Sequence, residues 1–282
     1  MAQAVVGWGD GEYCKRNQVA AKTLGGGQGI DLDDQGYCLK LEDNLFWQYI
    51  NPETRDEIAR GYRRELTSKE EGQEYMYAPH GSMALACNFF DYWRYGKDAA
   101  PLAYALGVSK VSSICFREKF RTGLPGKPPH VSVVLHLASG KLLAIDSRFT
   151  ERFSSPKKNP LGKSCFSDGK EPWRQAGLPC CQELAENLSD GHRDVAHILR
   201  HMLGLANSEK NWQMLYLWFD PGGAESKIHQ EEIDEFINAI KSDGEKFRAM
   251  TYQSLFDRMS EVLDTSHEKY RKYLKERYFR HR

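Results

Sequence analysis

The sequence predicts an α/β fold in which a central mixed β-sheet is flanked by helices. Three observations lead there. Short apolar runs over 111–120, 131–137, 141–149 and 214–219 have the length and the aliphatic and aromatic content of strands. Longer segments before, between and after them have helical periodicity. The resulting order is helices, three strands, helices, one strand, helices, which packs a sheet between helical layers.

Residues 1–37 are rich in glycine and polar residues and read as a flexible N-terminal segment. Gly25-Gly26-Gly27 lacks the Gly-Lys-Ser/Thr ending and the preceding apolar strand of a phosphate loop. The rest, 38–282, reads as a single domain. A helix is expected over 52–65, with Asn51 as N-cap and Pro52 at the first helical position. Over 82–94 nearly every residue is small or apolar, which marks a buried helix. Asn88 stands out there as either a satisfied core amide or a group steadying a site. A short helix follows over 101–106.

The strands 111–120 and 131–137 are separated by Gly123 to Pro129, a turn-rich loop. Ala138-Ser139-Gly140 then turns the chain into the third strand. A polar connection over 153–178 precedes helices over 179–188 and 194–205. A strand over 214–219, helices over 229–240 and 252–263, and a basic helix from Glu268 complete the chain. In that last helix tyrosines alternate with cations, suited to a nucleic-acid backbone or to docking with a basic face outward.

Lys+Arg and Asp+Glu both number 39, so global charge gives no support for a polyanionic partner, and any such role needs a local patch. The seven cysteines are irregularly spaced without a Cys-x-x-Cys pair, which argues against a zinc ribbon. No run approaches the roughly 18 apolar residues of a membrane span, and no secretory signal is evident. A reducing cytoplasm is the expected compartment.

The third strand carries Asp146-Ser147-Arg148. A period of two puts Asp146 and Arg148 on one face. Such a pair is either a partly buried ion pair or part of a phosphodiesterase site, in which a carboxylate holds a divalent ion and a cation steadies the phosphate. Arg148 can stabilise charge but cannot act as a base. Glu118 near the end of the first strand and Ser132 at the start of the second are positioned to converge on the same site. On the helix 194–205, His197 and His201 sit at i, i+4 with Arg200 close to His197. That spacing can bind zinc, although no Glu follows His197 as in zinc proteases. The same face could instead touch DNA phosphates or lie in solvent.

Several collinear segments carry a resemblance to a known family. They are Ser82 to Trp93; Phe116-Arg117-Glu118-Lys119-Phe120 leading to Gly123 to Pro129; Val131 to Leu135; Ile145 to Glu151; Val195 to Leu205; and Leu215 to Asp220. Together they span roughly residues 40 to 280 and resemble bacterial restriction-endonuclease-like proteins of the PD-(D/E)xK superfamily. The resemblance implies a restriction-endonuclease-like sheet and Mg²⁺- or Mn²⁺-dependent cleavage of DNA, with a homodimer as one possible assembly. It implies Asp146 and Glu118 as metal ligands, and Arg148 and Ser132 as further catalytic positions. It also implies Asn88, His197, Arg200 and Arg117 as site-lining or DNA-binding residues. The chain departs from the family pattern at Ser132, where an Asp is expected, and at Asp146-Ser147-Arg148, where Glu-x-Lys is expected. Arg117 stands where an acid is expected, one step before Glu118. A catalytically degenerate nuclease fold, kept for nucleic-acid or protein binding, is therefore the alternative.

Overall fold

A computed structural model describes residues 37–61, 76–95, 98–150, 161, 163–166, 169–188, 193–208 and 210–279, together with Leu32 and Leu66. The expected flexible segment, and Lys157 and Lys158 in the polar connection, lie outside these residues apart from Leu32 and Tyr37.

Five strands form one sheet in the order β1-β2-β3-β4-β5. They are β1 (Val111–Lys119), β2 (His130–Leu137), β3 (Leu142–Arg148), β4 (Trp212–Trp218) and β5 (Phe247–Thr251). The first three form an antiparallel meander, and β3, β4 and β5 run parallel. Antiparallel neighbours need only short turns, whereas parallel neighbours need crossovers. The β3–β4 crossover contains α4 (Pro172–Gln175), α5 (Pro179–Glu186) and α6 (Arg193–Ala206). The β4–β5 crossover contains α7 (Ala224–Ala239).

Alternate residues of the central strands enter two separate cores. Val133, Leu135, Leu143, Ile145, Leu215 and Leu217 face the first. It is closed by α2 (Ser82–Phe90), α3 (Ala100–Leu106), α8 (Tyr252–Ser260) and α9 (Glu268–Tyr278). Val134, Leu142, Ala144, Met214 and Tyr216 face the second, which is closed by α4 to α7. A strand buried on both faces must be almost continuously apolar, as β3 and β4 are. Against that background Asp146, on the parity of Leu142 and Ala144, is a buried acid on the second face.

The helices cover what the strands leave open. The first helix, α1 (Pro52–Gly61), lies along the outer strand β1, where the Phe116 amide donates to Glu57 Oε2 at 2.9 Å. At the start of α5, the amides of Cys180 and Cys181 donate to the two carboxylate oxygens of Asp243 at 2.8 and 2.7 Å. An acid at a helix N-terminus meets both the orphan amides and the dipole.

The sheet has one strand more than the sequence reading placed: Phe247–Thr251 is missing from it because only Phe247 is buried there. The basic end is a helix, as expected, and takes the docking alternative: Tyr270, Leu274, Arg277 and Tyr278 are buried, and its exposed cations stand on the outer face. Among the described residues, no helix is long and apolar enough to cross a membrane.

Candidate active site

The site gathers where the C-terminal end of β3 meets α6. Within β3, Arg148 Nη2 and Nε donate to Asp146 Oδ2 at 2.8 and 3.1 Å. The period of two accounts for the pairing. Asp146 is buried and Arg148 slightly more open.

Opposite them, α6 presents His197 and His201, whose Nε2 atoms are 2.7 Å apart. One helical turn places i and i+4 side chains over each other. Asp146, His197 and His201 each offer a ligand atom, and these atoms lie within 4.8 Å of one another. The side chain of Asp194, on the same helix, lies outside those described.

His201 is fully buried, and its imidazole is pushed down to about 3. Burial is the main cause, followed by the nearby charges of Arg148, Arg117, Arg200 and His130. His201 is thus neutral at physiological pH. Its Nδ1 is buried without a hydrogen-bond partner. The two rings share one proton across the Nε2–Nε2 contact, and either ring can supply it.

Three arginines from three elements crowd this corner: Arg148 on β3, Arg117 on β1 and Arg200 on α6. Arg200 Nη2 also donates to the Lys127 carbonyl at 3.0 Å, tying α6 to the loop after β1. His130 Nδ1 is 3.3 Å from the Arg117 carbonyl, and burial lowers its basicity. Near Gly204, α6 approaches the end of β1 so closely that an added Cβ would stand 2.7 Å from the Phe120 carbonyl oxygen.

Ser132 is buried, and its Oγ accepts from the Ser147 amide at 3.2 Å. It therefore ties the start of β2 to β3. Glu118 is not brought to Asp146. It bonds His136 Nε2 at 3.0 Å and groups with Cys115 and His136 instead. Glu118 and Asp146 thus belong to separate groups.

Asn88 is a core amide rather than a site residue. Its Oδ1 accepts from the Phe46 amide, and its Nδ2 donates to the Asn44 carbonyl and the Tyr278 hydroxyl. These partners all lie on the first face of the sheet, and Asp146 is on the second. His201 gains weight that spacing alone did not give it, because only the crossover brings α6 over β3.

A family described as restriction endonuclease associating with ARP matches residues 12–279. The chain belongs to that family. Searches of curated proteins and of solved structures found no match. The five-stranded mixed sheet between helical layers agrees with a restriction-endonuclease-like fold.

Proposed function

We propose that this protein is an endonuclease that hydrolyses DNA phosphodiester bonds with the help of a divalent metal ion. The observation that carries the reading is the convergence of Asp146 with His197 and His201 beside Arg148, Arg117 and Arg200. Carboxylate and neutral imidazoles are metal donors, and guanidiniums bind phosphate through paired N–H groups.

The donor set decides which ion fits. Mg²⁺ prefers oxygen ligands almost exclusively, and only one carboxylate is present in this group. One carboxylate with two imidazoles fits Mn²⁺ better, since it tolerates nitrogen more readily. Asp146, His197 and His201 would hold it. A divalent ion held there would make a water more acidic and offset phosphate charge.

The chain's own groups do the rest. Arg148 holds Asp146 Oδ2 in place and presents positive charge beside it. The depressed basicity of His201 keeps its ring an electron-pair donor instead of a cation at neutral pH. Ser132 fixes the spacing of β2 and β3 in place of an acid. Arg117 and Arg200 supply the local positive field that the zero net charge of the chain does not.

A second reading, a degenerate nuclease fold that binds nucleic acid or protein, is favoured by two observations. Ser132 is engaged by the backbone, and Glu118 is drawn away to His136. Cleavage of supercoiled plasmid separates the two readings. With Mn²⁺, and more weakly with Mg²⁺, nicking is expected, and Asp146→Ala lowers it at least about a hundredfold. A folded wild type that binds DNA but does not nick it with either ion favours the degenerate reading.

A further inference from the structure

We propose that Cys115, Glu118 and His136 form a second, independent site for a borderline divalent cation of the zinc class. The three residues come from β1 and β2. Their ligand atoms lie within 4.8 Å of one another, and the Glu118 carboxylate is 3.0 Å from His136 Nε2.

Thiolate, imidazole and carboxylate are the three side-chain donors that Zn²⁺ takes, in tetrahedral geometry. Three protein ligands leave a fourth position for water. The side chains of His136 and Glu118 are 28% and 30% exposed, so the position is open to solvent. Cys115 is a free cysteine of intermediate burial.

The backbone is built unusually to make this grouping. Cys115 and Glu118 are three residues apart, and a regular strand would put them on opposite faces. Between them Arg117 has φ +54°, one of two non-glycine residues with positive φ among those described. That left-handed residue interrupts the pleat and returns Glu118 to the side of Cys115 and His136. A left-handed residue with a long side chain is strained, and strain of this kind concentrates at functional sites. It is held in place by close packing: a Cβ on Gly61 would stand 2.4 Å from the Arg117 Cβ.

The electrostatic setting suits a cation. The carboxylates of Glu57, Glu118 and Glu53 all lie near enough to act on Cys115, and only Arg94 is set against them. On binding, the S–H bond breaks, the thiol proton leaves to solvent, and the sulfur electron pair goes to the metal. No oxidant or reductant is involved.

The experiment is a titration of the full chain with Co²⁺, the spectroscopic substitute for Zn²⁺, followed by back-titration with Zn²⁺. The expected result is a near-ultraviolet sulfur-to-cobalt band, specific to the Co²⁺ held by this cysteine-containing site, that Zn²⁺ abolishes. Cys115→Ser removes the band. Glu118→Gln, nearly isosteric, and His136→Ala each weaken binding by about tenfold or more. His201→Gln, in the other group, leaves the band unchanged. Far-ultraviolet circular dichroism checks that each variant is folded. If Cys115→Ser fails to fold, Glu118→Gln and His136→Ala still decide the matter. Absence of the band in the wild type, its survival in folded Cys115→Ser, or unchanged affinity in Glu118→Gln and His136→Ala would overturn the proposal.

Discussion

His201→Gln removes a proton-linked penalty from the second core. Histidine has an ordinary value of about 6.5, and in the folded protein His201 is held down to about 3. The folded form therefore resists a proton that the unfolded chain accepts. Full stability is present above about pH 6.5 and declines as pH falls toward 3, where the loss levels off. At pH 5 the difference in proton binding amounts to about 2 kcal/mol, from RT ln of the ratio of the two binding factors. At pH 8 it is close to zero. Glutamine is neutral throughout, and its amide can still donate to His197. Urea unfolding of wild type and variant at pH 8 and pH 5 isolates the effect, because shared carboxylate contributions cancel in the comparison. The wild type is expected to lose about 2 kcal/mol more than the variant between the two pH values. Equal losses would refute the idea that the buried imidazole is neutral, and with it the chemical role assigned to His201.

Two further outcomes follow from packing. Asn88→Ala leaves the Phe46 amide, the Asn44 carbonyl and the Tyr278 hydroxyl without that partner; stability should fall by about 3 kcal/mol, while plasmid cleavage per folded molecule is unchanged. Gly204→Ala drives a Cβ toward a backbone carbonyl that cannot swing aside; a loss of about 2 kcal/mol and a Tm lower by about 5 °C in calorimetry are expected.

The strands were legible because their burial leaves a simple trace. Four of the five show as short runs with aliphatic and aromatic content, and Gly140 marks the turn between β2 and β3. The fifth strand lies at the sheet edge, where partial exposure erases the alternation. At the site, local pairings were readable and distant ones were not. Asp146 meets Arg148 because strands repeat every two residues, and His197 meets His201 because helices repeat near four. That the two pairs meet each other depends on a crossover of some 60 residues, which leaves no periodic mark in the sequence. Glu118 was hardest to place. A left-handed Arg117 decides which way it faces, and nothing about an arginine announces positive φ. Gly61, whose missing side chain makes room for Arg117, was the available hint.

The last helix has a consequence for how the protein is made. Tyr270 stacks on Tyr92 with ring centres 3.8 Å apart and donates its hydroxyl proton to the Phe89 carbonyl. Arg277 Nη2 donates to Asn44 Oδ1 and to the Pro79 carbonyl, spanning 233 and 198 positions of sequence. A chain leaving the ribosome from its N-terminus carries α2 and its aromatic face long before α9 exists to cover it. Sheet pairing and the α4–α7 side can consolidate once β5 has emerged. The α2 side must wait for residues 268–279. Vectorial synthesis thus gives the two halves of this molecule different birthdays, with an apolar wall standing open for chaperones in the interval.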